Sequence, residues 1–235
     1  SDSGKNGVVV SAHYRATEAG AKILQKGGNA VDAAVAVSAA LGVVEPAASG
    51  LGGMTMMNVH LAEEKRTFII EGPCRAPSEA TPDQVAAAPR KSGYKAVAVP
   101  TNPAVLAYAL ERYGTMSVAD VLESAIDLAE VGYLMTPFQA RILSSYAGQL
   151  CNYNGADFFL NEQRQPFKAR DRIIQPRLAA TLRRLAEHGF EEYYLGRTGE
   201  EILKDMKNHD GFISRADFDP VPYPKEVETL NREVL

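Results

Sequence analysis

The sequence is poor in cysteine and histidine and has no long apolar run. It has two cysteines, four histidines and no tryptophan among 235 residues. Cys74 and Cys151 show no paired-motif spacing, and the histidines form no His-x-x-x-His pair, so neither a disulfide scaffold nor a metal site is predicted. No apolar stretch approaches the roughly 20 residues that cross a bilayer. The most apolar segment, residues 33–44, is short and is interrupted by Ser38 and Gly42.

The charge distribution argues against a nucleic-acid partner. The formal net charge is −4, and no cluster of basic residues is present. The densest charged run, residues 63–66, has mixed sign and is interpreted as the tip of a hairpin. Residues 1–7 lack the apolar region of a signal peptide, so the sequence assigns no compartment.

The first 45 residues predict one strand and two helices. Residues 8–11 have the β-branched character of a short buried strand, and residues 16–26 follow a helical period. Gly27 and Gly28 supply a helix stop. Asn29 is a good N-cap for the next helix, and Asp32 completes a capping-box pattern. That second helix, residues 30–41, is alanine-rich, which predicts close packing on several sides and an end near Gly42.

The remainder of the chain predicts a hairpin followed mainly by helices. Residues 54–61 and 66–70 are interpreted as the hairpin, and residues 97–100 as a short strand. Residues 1–100 are therefore rich in strands and residues 101–235 are mostly helical, which is an α+β or layered α/β pattern. Residues 151–176 are polar and turn-rich, and are the expected flexible segment. The predicted helices are residues 103–113, 118–132, 139–149, 177–187 and 199–206.

A glycine loop at residues 49–54 allows three interpretations. A phosphate cradle needs a strand before the loop and a helix after it, whereas here a helix precedes and a strand follows. A tight turn between helix and hairpin is the structural alternative. The third interpretation is a glycine-lined wall of a substrate pocket, because a backbone without side chains can approach a ligand closely.

Arg75 is the candidate binding residue, because it lies in a proline-bounded loop directly after a strand. A guanidinium can hold a carboxylate through two parallel hydrogen bonds. The structural alternative is an ion pair with Glu71 or Glu79. Cys74, next to this cation, could be an activated thiol, although no sequence pattern assigns a histidine to it and an inert cysteine is the alternative.

The sequence carries no recognisable catalytic constellation of its own. It has no Gly-x-Ser-x-Gly elbow. Tyr193 and Tyr194 are interpreted as packing residues, and no cofactor is expected.

Several motifs, in order along nearly the whole chain, resemble signatures of the γ-glutamyltranspeptidase large subunit. Any one of them is weak, and the ordered series is strong. Later stretches, among them residues 127–132 and 184–190, are similar to helical segments of that family. The three clearest motifs are Gly27-Gly-Asn-Ala-Val-Asp-Ala-Ala34, Leu41-Gly-Val-Val-Glu-Pro46 and Ser49-Gly-Leu-Gly-Gly53.

This resemblance implies a fold and a reaction. The fold is the αββα sandwich of N-terminal-nucleophile hydrolases, to which residues 1–235 contribute the large-subunit portion of one domain, completed by a second chain. In the family a precursor cleaves itself, and the new N-terminal threonine of the small chain attacks an amide with its own α-amine as base. The implied function is that of the large subunit of an amidohydrolase or acyltransferase. The implied partners are the small subunit and a small-molecule amide.

Two departures from the family pattern bear on the substrate. The family's arginine for the glutamyl α-carboxylate lies in a segment like Asp-Phe-Arg-Glu-x-Ala-Pro, and without gaps that position is Pro73 here. Arg75 falls two residues later, where some members carry a second arginine. The usual Pro-Gly-Thr loop is replaced at residues 100–103. A different acyl amide, as in cephalosporin- or oxamate-type acylases, or a biosynthetic intermediate, is therefore an alternative substrate.

The chain also ends earlier than the family's usual large subunit, at Leu235. An alternative of another class is a non-catalytic binding protein that keeps the fold. It predicts no self-cleavage and no downstream nucleophile.

Overall fold

The structure is a computed structural model that describes residues 7–87, 92–150 and 155–229. Within these residues the chain forms ten α-helices and five strands. They divide into two compact units. The first comprises the described residues of Ser1–Gly50 and Ala119–Glu187, and the second those of Leu51–Val118 and His188–Leu235. The prediction that residues 1–235 share one domain with a second chain stays a prediction.

The first unit begins with the two predicted helices. Helix α1 (Tyr14–Gln25) is followed by Gly27, whose φ of 93° places it in the left-handed region that favours glycine. Helix α2 (Ala30–Val44) starts with the predicted capping box. The Asn29 side-chain oxygen accepts from the amides of Val31 and Asp32 at 2.8 and 3.0 Å, and the Asn29 amide donates to the Asp32 carboxylate at 2.8 Å.

Helix α2 is longer than its sequence pattern predicts. The expected end near Gly42 is wrong, because the helix runs through this glycine to Val44. A single glycine costs only about 1 kcal/mol in a helix interior, whereas Pro46 cannot continue the helix. The predicted close packing is confirmed at Gly20 of α1. A Cβ there would lie 2.6 Å from the Val37 side chain of α2.

The rest of the first unit is helical with one small sheet. Strands β3 (Tyr133–Leu134) and β4 (Arg172–Ile173) pair antiparallel. The predicted flexible segment, residues 151–176, includes residues 151–154 and with them Cys151, which lie outside the described residues; its described part holds a short helix and β4. The helices are α5 (Val118–Val131), α6 (Pro137–Leu150), α7 (Ala156–Phe159) and α8 (Pro176–His188).

The second unit is built on a three-stranded antiparallel sheet. The predicted hairpin is confirmed as β1 (Thr55–Leu61) and β2 (Arg66–Gly72). Strand β5 (Lys225–Glu228), which the sequence did not predict, pairs with the other side of β2, giving the order β1-β2-β5. The helices of this unit are α3 (Pro82–Ala87), α4 (Asn102–Tyr113), α9 (Glu192–Leu195) and α10 (Arg197–Asn208).

Two predicted strands do not form. Residues 8–11 have no regular secondary structure and pair with no strand of the described chain. Residues 97–100 contribute only an isolated bridge between Val99 and Arg75. β-Branched residues favour an extended backbone, but a strand also needs a neighbour to receive its hydrogen bonds. Among the described residues no helix is long and apolar enough to cross a membrane.

Candidate functional site

Three loops of the second unit meet at the start of α4. They are the part of the glycine loop that belongs to this unit (Leu51–Gly53), the segment after β2 that ends at Arg75, and residues 97–101. The Gly53 carbonyl accepts from the amides of Thr101 and Asn102, each at 3.0 Å. The Thr101 hydroxyl donates to the Gly72 carbonyl at 2.6 Å, and the Val99 amide donates to the Arg75 carbonyl at 3.0 Å. These bonds fix the three loops against one another.

The amide groups at the start of α4 are all used within the protein. Asn102 donates to Gly53, Pro103 has no N–H, and the Ala104 amide donates to the Tyr194 hydroxyl at 3.3 Å. A helix N-terminus binds phosphate through such amides when they are open to a ligand. The phosphate-cradle interpretation of the glycine loop is therefore unsupported, and the loop connects α2 to the hairpin.

Arg75 lies exposed at this junction. One of its guanidinium nitrogens approaches the Tyr223 carbonyl oxygen at 3.4 Å, which is a long hydrogen bond. Within the described structure it forms no ion pair with Glu71 or Glu79, so neither carboxylate neutralises its charge. The Arg75 guanidinium is therefore exposed to solvent, while the hydrogen bond from the Val99 amide fixes the Arg75 backbone.

Cys74 and Pro73 are exposed beside Arg75. The Cys74 thiol lies 2.9 Å from the Met54 sulfur, and no histidine side chain of the described residues is its hydrogen-bond partner. At residue 73 this loop carries a proline ring, and its guanidinium is at residue 75.

Tyr223, which contacts Arg75 through its carbonyl, is anchored at its other end. Its hydroxyl donates to the Glu191 carboxylate, and this hydrogen bond together with burial raises the pKa of Tyr223 to about 12. The phenol therefore stays protonated at neutral pH. Its hydrogen bond holds the segment before β5, residues 221–224, beside Arg75.

Tyr193 and Tyr194 lie under the same loops. The Tyr194 hydroxyl donates to the Pro100 carbonyl at 2.9 Å, in addition to accepting from Ala104. The Tyr193 hydroxyl has no hydrogen-bond partner among the described residues and lies beside Gly52. The prediction that both tyrosines pack in the core is confirmed, since they are 6% and 0% exposed. No sequence signal distinguishes their two hydroxyl groups.

A separate cavity of about 590 Å³ lies in the first unit. It is bordered by residues 7–10 and by one side of α2, and none of its lining residues carries a titratable side chain. Its chemistry suits contact with apolar chain and not acid–base catalysis. Across the described residues, no group of three or more His, Cys, Asp or Glu side chains could hold a metal ion.

Known proteins share both the sequence pattern and the fold of this chain. Residues 16–228 match the sequence model of the family described as gamma-glutamyltranspeptidase. The chain is 35% identical over 224 residues to a glutathione hydrolase proenzyme of Pseudomonas sp. (strain A14), covering 92% of this chain and 39% of that protein. It is 37% identical over 227 residues to the Acylase ACY 1 proenzyme of Pseudomonas sp. (strain V22), covering 91% and 40%.

The fold agrees with a solved structure of the same family. The crystal structure of the Helicobacter pylori γ-glutamyltranspeptidase superposes with a TM-score of 0.91 at 33% identity, over 96% of this chain and 66% of that one. The chain belongs to the γ-glutamyltranspeptidase family. It contains part of that family's N-terminal-nucleophile hydrolase fold, as predicted, and spans about two fifths of the curated relatives it matches.

Proposed function

We propose that this chain is the large-subunit part of an amidohydrolase or acyltransferase whose nucleophile is the N-terminal threonine of a small chain from the same precursor. The observation that carries the proposal is the ordered match over residues 16–228. The relatives that share it are named proenzymes, and this chain spans only about 39% of their length.

In the proposed reaction the threonine hydroxyl attacks the carbonyl carbon of the amide. The free α-amine takes the hydroxyl proton and passes it to the leaving amine, so that an ester joins the acyl group to the enzyme. Water or an amine acceptor then attacks this ester and regenerates the hydroxyl. The described residues of the present chain would bind the acyl group and hold the partner.

The partner would be held in the first unit, along residues 7–10 and the adjoining cavity. These residues form no hydrogen bond with the rest of the described chain, and Val8 and Val10 are 72% and 84% exposed. An extended segment with free amides and carbonyls is a template for another strand. We assign that strand to the small chain, because the larger part of the relatives' length lies outside this one.

Hydrogen exchange on the two-chain protein tests this assignment. Backbone amides of residues 8–10 should be protected to a degree comparable with the amides of the β1–β2 hairpin. Rapid exchange at residues 8–10 in the assembled protein would contradict the assigned interface without touching the proposed chemistry.

The donor is recognised, in this proposal, by Arg75. Its guanidinium is exposed and lacks an ion-pair partner among the described residues, and its backbone is fixed by Val99. Both properties suit a residue that binds an anionic group of the substrate. The shift of the arginine from residue 73 to residue 75 favours testing donors beyond γ-glutamyl amides. The acylase relative supports the same choice, because at 37% identity it matches as well as the glutathione hydrolase.

Two measurements on the native protein test the function. Intact-mass analysis should find a second polypeptide that begins with Thr, Ser or Cys. A hydrolysis screen with a γ-glutamyl anilide beside glutaryl and aliphatic acyl anilides should find the donor. An active preparation that contains only this chain would refute the proposal, and an unprocessed, inactive protein would favour the non-catalytic alternative.

Arg75→Ala then tests the binding role. Truncating one partner of a buried charged hydrogen bond costs about 2–5 kcal/mol, so kcat/KM for an anionic donor should fall tens-fold or more. Arg197→Ala is the matched control, because Arg197 is an exposed arginine of the same unit whose partner is Glu201, one turn along its own helix. Equal kcat/KM values for the wild type and Arg75→Ala would make Arg75 structural.

A further inference from the structure

The segment that carries Arg75 runs over the surface of the second unit. Residues 73–79 are exposed except for Pro77, which is buried. Because so little of this segment is packed, its few polar contacts decide where the arginine lies. At Arg75 itself they are the bond from the Val99 amide to the arginine's carbonyl and the long contact of the guanidinium with the Tyr223 carbonyl.

A further contact to this segment comes from a carboxylate. The Ser78 amide, three residues after Arg75, donates to one oxygen of Asp217 at 2.7 Å. The other oxygen of Asp217 accepts from the Ser214 amide at 2.9 Å, and the two serine hydroxyl oxygens lie 3.4 Å apart. Hydrogen bonds to an ionised acceptor are roughly twice as strong as those between neutral groups. One side chain thus joins the Arg75 segment to a turn that lies far along the chain.

Asp217 is itself held in place. It ends the short 3-10 turn Arg215–Asp217, which begins with a capping box between Ser214 and Asp217. The next residue, Phe218, is fully buried, and its ring meets the Tyr194 ring edge to face with centroids 5.3 Å apart. A side chain that belongs to a closed turn and adjoins a core residue has little freedom to move. It can therefore fix the segment that it contacts.

We propose that Asp217 is a positioning residue for Arg75, because it holds residues 73–78 where the guanidinium can bind the acyl donor. This inference rests on the proposed function, in which Arg75 binds an anionic group of the donor. Asp217 acts through the segment and does not touch the donor. The negative charge of Asp217, acting through space, would oppose an anionic donor, so the electrostatic effect and the positioning effect of this residue have opposite signs.

The first test is the steady-state kinetics of Asp217→Ala in the full two-chain enzyme, with glutaryl and γ-glutamyl 4-nitroanilides as donors. Without the bond to Ser78 the Arg75 segment can move, and a small misplacement of a binding group is costly, so KM should rise about tenfold. The change in kcat should stay within about twofold, because the reacting groups of the proposed mechanism lie on the small chain. Asp217→Asn keeps the shape and one acceptor oxygen, so its KM should rise less.

Glu79→Ala is the matched control for the loss of a negative charge. Glu79 is an exposed carboxylate of the same segment and forms no ion pair with Arg75 in the described structure. Its removal should leave KM for the anionic donors unchanged or lower it. The double variant Arg75→Ala with Asp217→Ala should have the KM of Arg75→Ala alone, because a residue that acts through Arg75 has no effect once the guanidinium is gone.

Hydrogen exchange gives a readout that does not depend on activity. In Asp217→Ala the Val99 amide, which donates to the Arg75 carbonyl, should exchange faster than in the wild type. The Thr101 amide donates to the Gly53 carbonyl and should keep its rate, because that bond does not involve the Arg75 segment. The comparison separates a local movement of residues 73–78 from a general loss of stability.

Three results would each overturn the inference: wild-type exchange of the Val99 amide in Asp217→Ala, a KM that falls in Asp217→Ala, or a further rise of KM in the double variant. If Asp217→Ala does not fold, the isosteric Asp217→Asn is used for the same comparisons. An unchanged kcat/KM in Arg75→Ala refutes the binding role of Arg75 in the proposed function, and this inference falls with it. That failure is recognised without any variant of Asp217.

Discussion

The carboxylate of Glu226 holds the unpredicted strand β5 in place, and its removal is a quantitative test of the fold. The Glu226 side chain is 19% exposed. One of its oxygens accepts from Tyr108 at 3.0 Å and also from the Tyr113 hydroxyl, and the other accepts from Arg66 at 2.7 Å. Three partners from β2 and α4 therefore converge on a single side chain of β5.

The expected magnitude follows from these contacts. Hydrogen bonds to a charged group are each worth about 1.5–3 kcal/mol. The partners are partly exposed, so water replaces some of what is lost, and we expect Glu226→Ala to lower the free energy of unfolding by about 2–4 kcal/mol. Glu226→Gln should cost less than half as much, because its amide oxygen still accepts from the two tyrosines.

The assay is urea unfolding of the purified two-chain protein, read by tyrosine fluorescence. Glu228→Ala is the matched control, because Glu228 is exposed on the same strand. If Glu226→Ala and Glu228→Ala lose the same stability, the convergent contacts do not hold β5 and the reasoning fails.

The pH dependence supplies a second, independent result. The hydrogen bond from Tyr113, followed by those from Arg66 and Tyr108, lowers the pKa of Glu226 below its usual value. The stabilisation is therefore fully present above about pH 4.5 and is lost as the pH falls through the lowered pKa. The reason is that the unfolded state binds the proton at a higher pH than the folded state does, so acid favours unfolding. In Glu226→Gln this part of the acid destabilisation should be absent.

Two further predictions concern helix starts in the first unit. Asn29→Ala removes the oxygen that accepts from the amides of Val31 and Asp32 and should cost about 1–2 kcal/mol in urea unfolding, whereas Asn29→Ser keeps a cap and should cost less. The His13 side chain caps α1 by accepting from the Arg15 amide at 3.2 Å. His13 is buried, and burial, followed by the charge of Arg15, lowers its pKa. Its contribution to stability is therefore full above about pH 6.5 and declines as the pH falls through the lowered pKa. His13→Asn keeps a capping side chain but does not titrate in this range. Between pH 7.5 and 5 the wild type should therefore lose stability relative to this variant, and an equal loss in both would show that His13 is not the group responsible.

Local chemistry made the start of α2 and the hairpin predictable. The capping box at Asn29 and Asp32 forms as its pattern indicates, because both partners lie within one turn. The hairpin forms because its two strands are separated by a short charged turn. Strand β5 was missed, since its neighbour β2 lies more than 150 residues earlier and residues 225–228 carry no strand pattern of their own.

The candidate site was predictable only in part. The sequence identified Arg75 by its position after a strand, and identified the family by an ordered series of motifs. It could not show that Arg75 is exposed without a carboxylate partner in the described structure, or that α4 uses its first amides internally. Those properties depend on which loops contact one another, and such contacts are decided by the packing of residues that are distant in sequence.

The sequence by itself determined the start of α2, the hairpin, the family and the lack of a recognisable catalytic constellation in this chain, because each follows from residues that are close in the chain or from an ordered pattern along it. The tertiary structure alone distinguished Tyr193 from Tyr194. The two residues are identical and adjacent, and they differ only in what surrounds each hydroxyl. One faces the backbone of Pro100 and Ala104, and the other faces the open space beside Gly52. Whether a hydroxyl group finds a hydrogen-bond partner within the protein is decided by atoms that are distant in sequence, and only the folded chain brings them together.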